Sequence, residues 1–267
     1  MSLHRFFLDD QVIAAEADEV FPLRLSDADA RHARVLRLGA GEHLAVVDAA
    51  SDYFECEVVR MDGGYPEVRV ARRLDAPEEG PSVLLVQGLA KGDKMDEVVR
   101  HATELGVAGF LPLSCARSVV KLDERKAASR VERWRAVARS AAMQSGQPRV
   151  PEVCAPATVA EAAAALAGAT AVLVCWEEAP STARLADALR GALADARMPA
   201  ADARVAVVVG PEGGLAPDEV EALLACNPRA SLVSLGPSIL RTETAGVVAP
   251  ALVLYELGAL GGCAEAR

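Results

Sequence analysis

The chain has 267 residues, six cysteines, four histidines and a formal net charge of −10, long enough for one large domain or two modest ones that fold without staples. Apolar residues make up 52% and aromatics only 4%, so the core is expected to be mostly Ala, Val and Leu. Cys56, Cys115, Cys154, Cys175, Cys226 and Cys263 stand singly with no CxxC pair, which argues against a disulfide framework or metal site and for reduced thiols in a cytosolic protein.

The N-terminus lacks a basic, apolar, small-residue leader, and the Ala-rich stretch from Val159 to Val174 contains Glu161 and is too short to span a bilayer. A soluble, cytoplasmic protein with no membrane partner is the expectation. The acidic balance argues against nucleic acid, but residues 117–149 carry nine basic and three acidic side chains. A local positive stripe attracts a polyanion whatever the net charge; a solvated helix surface is the plain alternative.

In chain order, residues 1 to about 73 consist mostly of short strands. Arg5–Leu8, His43–Asp48 after a Gly39-Ala-Gly41 turn, Tyr53–Val59, and Glu67–Arg72 after Gly63-Gly64 are the candidates. Ser26–Leu38 is the helical exception, with Ser26 placed to cap and Asp29 three residues on. A small, mostly antiparallel barrel fits. Asp75-Ala-Pro-Glu-Glu-Gly-Pro81 reads as a linker, giving domains at 1–74 and 80–267. Beyond it, strands at Val83–Gln87, Phe110–Leu113, Ala171–Trp176, Val205–Val209 and Leu232–Leu235 alternate with helices. Those helices are Lys94–Leu105 closed by Gly106, Glu124–Met143, Thr182–Ala194, Pro217–Ala225 and about Thr242–Leu257. Apolar strands between amphipathic helices predict an α/β domain with a mostly parallel sheet covered on both faces.

Two glycine-bearing junctions carry the chemistry. Gly210-Pro-Glu-Gly-Gly214 follows an apolar strand, lacks the spacing of a dinucleotide fingerprint or a P-loop, and leads into Pro217, Asp218 and Glu219 at a helix start. Leu235-Gly-Pro-Ser-Ile-Leu-Arg-Thr-Glu-Thr-Ala245 follows another, with Thr242 as the expected N-cap. Both are taken to end adjacent parallel strands, the place where open α/β sheets bind ligands. Tight turns and an ordinary capped helix are the bland reading of each.

These residues resemble the signature of the trefoil-knotted SPOUT RNA methyltransferases, and more narrowly the bacterial 16S ribosomal RNA (uracil-N3) methyltransferase family. His32-x-x-x-Leu36-Arg37, Lys91-Gly-Asp-Lys-Met95, Ala102-Thr-Glu-Leu-Gly-Val107, Arg117-Ser-Val119, Glu132-Arg-Trp134 and Gln144-Ser-Gly146 match it too. The similarity spans nearly the whole chain. Departures fall at Ser238, His101, Met143, Gln147 and Arg31. The resemblance implies a PUA-like N-terminal β-barrel for RNA, a knotted C-terminal domain holding S-adenosyl-L-methionine, a homodimer, and 16S rRNA or the small ribosomal subunit as partner, with no metal.

Site residues follow from the same resemblance. Arg241 is expected to steady negative charge on the uracil, and Glu243 to assist proton removal if its pKa is raised. Gly210, Glu212, Gly213, Gly214, Leu235, Gly236, Ile239, Leu240 and Thr244 would hold the cofactor, with Glu212 at the ribose or the methionine end. Arg5, Arg31, His32, Arg34, Arg37, Arg117, Lys121 and Arg139 would position RNA. A methyltransferase with a shifted target and a non-catalytic RNA-binding assembly factor are the alternatives.

Overall fold

The computed structural model describes residues 3–16 and 19–260; Cys263 lies outside them. The chain forms two compact units, Met1–Glu78 with Met143–Pro148, and Glu79–Ala142 with Arg149–Arg267.

The first unit contains β1 (His4–Phe7), β2 (Phe21–Pro22), α1 (Asp27–Val35), β3 (His43–Val47), β4 (Tyr53–Asp62) and β5 (Tyr65–Leu74). They form one sheet in the order β1-β3-β4-β5-β2. β1 pairs with β3 in parallel and every other pair is antiparallel. Asp62 opposite Tyr65 leaves Gly63-Gly64 as a two-residue hairpin loop. Both glycines sit at positive φ, 57° and 95°, which is the backbone that a tight hairpin demands. Ser26 caps α1 by accepting from the Asp29 N–H at 3.1 Å, and the helix stops at Val35, three residues short of the expected end. Buried Asp48 accepts N–H donors from Ile13, Ala50 and Asp52, each at 2.9 Å, so its charge stitches the loops beside β3. Segment 143–148 joins this unit through Arg5, which donates to the Gly146 carbonyl at 3.0 Å, and through the Tyr53 hydroxyl, which donates to that of Pro148 at 3.2 Å.

The second unit runs β6 (Ser82–Gly88), α2 (Lys94–Leu105), β7 (Gly109–Ser114), α3 (Glu124–Ser145, whose last residues fall with the first unit), β8 (Glu152–Val153), β9 (Ala157–Thr158), α4 (Val159–Leu166), β10 (Ala171–Cys175), α5 (Leu185–Ala196), β11 (Arg204–Val209), α6 (Pro217–Ala225), β12 (Ala230–Val233) and α7 (Thr242–Glu256). Its sheet is parallel throughout, in the order β12-β10-β11-β6-β7-β8, with β9 also on β7.

Period-two alternation divides each apolar strand between two cores. Val83, Leu85, Ala171, Leu173, Val205, Val207 and Val209 face the layer holding α2, α3, α5 and α7. Val86, Val172, Val174, Ala206 and Val208 face α4 and α6. That explains why these strands lack polar alternation: a central parallel strand has no wet face. α2 ends at Gly106, whose φ of 97° lets its N–H return to the Ala102 and Thr103 carbonyls.

The Ala-rich segment that sequence reading left unassigned contains α4, started by a reciprocal cap between Thr158 and Glu161. The expected strand Leu232–Leu235 stops at Val233, because the chain turns away where the second glycine loop begins. The two junctions do not end adjacent strands: β10 lies between β11 and β12.

Among the described residues no helix is long and apolar enough to cross a membrane, and no cluster of three metal-ligating side chains occurs. Burial pushes the Cys56, Cys115 and Cys175 thiols up to about 12, the Glu55 and Glu219 carboxylates adding to it at the first two. These thiols are protonated packing groups rather than nucleophiles.

Candidate active site

The C-terminal ends of β10, β11 and β12 open on a cavity of about 530 Å³ lined by Trp176 and Glu177 after β10, by Val209–Gly214, and by Val233–Thr242 with Lys94 and Ala245. The first glycine loop is drawn tightly onto the sheet. A Cβ on Gly210 would lie 3.1 Å from the Gly214 carbonyl carbon and from the Leu215 nitrogen. A Cβ on Gly213 would lie 2.9 Å from Arg117 backbone, and one on Gly214 (φ +70°) 2.1 Å from Glu177 Oε1. Side chains here would collide with the protein's own neighbours, so glycine is what lets the loop lie this close to Arg117, Leu215 and Glu177.

Two connections hold the loops at a fixed spacing. Buried Thr242 donates its hydroxyl to the Gly210 carbonyl at 2.6 Å and accepts from Gln87 Nε2 at 2.8 Å. This ties β6, the first loop and α7 together. Thr242 is therefore the first helical residue and a tether; Arg241 occupies the N-cap position, with no side-chain cap. The expected capping role of Thr242 is corrected, because its hydroxyl is spent on the Gly210 carbonyl of the first glycine loop.

The second connection is Lys94, whose ammonium lies 3.1 Å from Glu212 and 3.0 Å from Glu243. Glu212 also accepts the Lys91 N–H at 3.0 Å. The Glu243 and Glu212 carboxylates hold Lys94 above the ordinary lysine value. Burial works to raise Glu212 and Glu243, but backbone N–H groups and Lys94, with Arg241 adding at Glu243, outweigh it and leave both below the usual carboxylate range. The raised pKa that a Glu243 base required is thus absent; the backbone N–H and Lys94 together favour its charged form. Lys94 enters the sequence motif Lys91-Gly-Asp-Lys-Met95 without a role of its own, although a lysine at the first position of a helix, where acids are favoured, was the available signal.

Of the sequence-predicted cofactor residues, Gly210, Glu212, Gly213, Gly214, Leu235, Gly236, Ile239 and Leu240 all line the cavity. Ile239 is 86% exposed there. Thr244 points elsewhere: it is exposed on α7 and outside the cavity lining. Arg241 lines the cavity, is exposed, and makes no salt bridge among the described residues. The Arg241–Glu243 pair considered from sequence does not form, since Glu243 is taken by Lys94.

The RNA candidates differ in burial and in the contacts they make. Arg117 donates to the Gly213 and Leu215 carbonyls, both at 3.3 Å, so it braces the glycine loop. Buried Glu219 holds the same region by accepting from the Ala116 N–H at 2.7 Å and the Ala216 N–H at 2.9 Å. Arg5 is half-buried and bonded to Gly146, burial lowering its pKa. Arg31, Arg34 and Arg37 are exposed on and just after α1, and Arg34 reaches back to the Ala30 carbonyl at 3.4 Å. The His32 ring lies 6.1 Å from that of Phe6. Lys121 is exposed and Arg139 is half-buried on α3.

A parallel sheet whose strand ends present glycine loops around a cavity defines an α/β domain built to bind a nucleoside-sized ligand. The RNA methyltransferase domain family matches residues 78–254. Ribosomal RNA small subunit methyltransferase E of Mycobacterium tuberculosis is 39% identical over 233 residues, covering 86% of this chain and 81% of that protein. The protein of the same name from Bacillus subtilis is 30% identical over 266 residues, 97% and 99% of the two chains. The crystal structure of ribosomal RNA small subunit methyltransferase E from Neisseria gonorrhoeae, bound to S-adenosyl methionine, superposes with a TM-score of 0.76 at 25% identity, covering 95% of this chain and 97% of that one. The chain belongs to the ribosomal RNA small subunit methyltransferase E family of RNA methyltransferases.

Proposed function

We propose that this protein transfers a methyl group from S-adenosyl-L-methionine to N3 of a uracil in 16S ribosomal RNA. The observation that carries the reading is the cavity of about 530 Å³ whose walls are two glycine loops fastened together by Thr242 and Lys94. Its size falls in the range of roughly 300–1,000 Å³ usual for small-molecule sites, and the close approach of the first loop to Leu215, Arg117 and Glu177 requires glycine at 210, 213 and 214. Backbone of Gly210–Gly214 and Leu235–Leu240 would hold the cofactor, which supplies an electrophilic methyl group on a sulfonium.

The chain's own contribution is charge and placement. Uracil N3 carries a proton, and its loss puts negative charge on the flanking carbonyls. Arg241, which lines the cavity and has no salt bridge among the described residues, is positioned to stabilise that charge. Lys94 is held protonated and Glu243 ionised, so neither accepts the N3 proton readily at neutral pH, and the proton leaves to solvent. Glu243 then serves as a positioning residue that fixes Lys94 against Glu212.

The finer architecture belongs to the same reading. Residues 1–74 serve as a PUA-like RNA-binding domain and 80–267 as the SPOUT domain. The trefoil knot is supported by the path of α7, which leaves edge strand β12 and returns to pack on β6, β11 and α2. A homodimer is supported by α7 itself: Leu252 and Tyr255 remain exposed on a helix that is apolar nearly all round. Arg31, His32, Arg34 and Arg37, with Lys121 and Arg139, supply the RNA contacts, and the reaction takes place in the cytoplasm.

The test is incubation of the protein with methyl-labelled cofactor and unmethylated small ribosomal subunits. Label in the RNA is the expected result. Subunit binding without label would leave the non-catalytic assembly factor as the better reading.

A further inference from the structure

Resting on the methyltransferase reading, we propose that Glu177 is the residue that recognises the two ribose hydroxyls of the bound adenosyl group. A vicinal diol presents two O–H donors, and an ionised carboxylate accepts both with charge-assisted hydrogen bonds. Two carboxylates line the cavity, Glu177 and Glu212. Glu212, the residue that sequence suggested for this role, is already engaged by the Lys91 N–H at 3.0 Å and by Lys94 at 3.1 Å. The Glu177 carboxylate has no hydrogen bond or ion pair among the described residues, and its acceptor capacity is unspent.

Its placement is built rather than incidental. β10 lies between β11 and β12, so the residues that follow it enter the cavity between the two glycine loops. The turn is fastened at both ends, the Trp176 N–H donating to the Val233 carbonyl at 3.3 Å and the Ala179 N–H to that of Trp176 at 3.1 Å. The carboxylate then lies against Gly214, where any Cβ would fall 2.1 Å from Oε1. Glycine at 214 thus serves two purposes: it permits the positive φ, and it leaves the space that the Glu177 carboxylate occupies. Among the described residues no donor is bound to this carboxylate when a ligand enters the cavity.

The test measures binding to the full-length protein and to Glu177→Ala by calorimetry. The probes are S-adenosylhomocysteine, a counterpart lacking both ribose hydroxyls, and methylthioadenosine, which lacks the amino-acid end. Wild type is expected to prefer the hydroxylated ligands by about 10- to 100-fold, the worth of hydrogen bonds to a charged acceptor. Glu177→Ala is expected to bind the hydroxylated and stripped ligands alike. Retention of the preference in Glu177→Ala overturns the assignment. So does a loss confined to S-adenosylhomocysteine with methylthioadenosine unaffected, which would place the carboxylate at the amino-acid end. Failure of wild type to bind any of the three overturns the methyltransferase reading itself, a result distinct from either. The turn is exposed, so a melting temperature equal to wild type's is expected of the variant. Glu177→Gln, which keeps an acceptor oxygen without the charge, is expected to fall between the two.

Discussion

Replacing Thr242 by valine keeps the shape of the side chain and removes one hydroxyl. In the folded chain that hydroxyl donates to the Gly210 carbonyl at 2.6 Å and accepts from Gln87 Nε2 at 2.8 Å. Gln87 is fully buried and its other contact, to the Gly88 carbonyl, is long at 3.4 Å, so its amide loses its main partner. A buried polar group left unpaired costs about 1–3 kcal/mol. Gly210 lines the cavity and is only partly buried, so its carbonyl is taken at the lower end of that cost and the two losses together come to about 2–4 kcal/mol. The chain has two tryptophans, Trp134 and Trp176, both in the second unit, so tryptophan fluorescence in urea reads that unit alone. The midpoint is expected to fall by about 1 M or more, taking an ordinary urea dependence for a domain of this size. Thr242→Ser, which keeps the hydroxyl, should recover most of it. A midpoint within about 0.2 M of wild type for Thr242→Val would refute the tether, since the slope then allows less than ~1 kcal/mol.

Gly246→Ala would place a Cβ 2.3 Å from Gln87 Oε1 and about 3.0 Å from Val98, so a stability loss of about 1–3 kcal/mol from overpacking is expected by the same fluorescence titration. Lys94→Met should alter the pH dependence of stability. The Glu212 and Glu243 pKa values are depressed in the folded chain; their contribution is whole above the ordinary carboxylate value near 4.5 and disappears as pH falls through the depressed values. Lys94 is raised, so its share is whole below about 10.5 and is lost as pH rises beyond its folded value. In Lys94→Met the acid loss should begin at higher pH, because burial then acts on the two carboxylates without the cation; superimposable curves would contradict the clasp. Arg241→Ala is expected to lower the rate of methyl transfer by about 100- to 1,000-fold, while cofactor affinity measured by calorimetry stays within a few-fold of wild type.

Strands such as Val205–Val209 were legible because a centrally buried parallel strand must be apolar on both faces, and helices such as Lys94–Leu105 and Pro217–Ala225 because their stops and starts carry Gly106 and Pro217. Two-residue strands β8 and β9 have too few residues to show a period. Strand order was not legible either. Nothing local to β10 says that it lies between β11 and β12, and this hid Trp176 and Glu177, which reach the site without a glycine signature. The glycine loops were visible because close backbone approach demands a particular residue type. Charge assignments were weaker, since a basic side chain reads the same whether it has no salt bridge among the described residues, as with Arg241, or is spent on carbonyls, as Arg117 is. Lys94 and Glu243 lie 149 positions apart in sequence, and only the fold brings them within 3.0 Å.

The most direct test is the chemical identity of the modified nucleoside. Small ribosomal subunits would be reacted with the protein and S-adenosyl-L-methionine, and the RNA digested to nucleosides and separated by chromatography with mass detection. One new product is expected, uridine methylated at N3, made by wild type and nearly absent with Arg241→Ala. A methyl group on the ribose, on uracil C5 or on another base, or no methyl group from a protein that binds the cofactor, would contradict it.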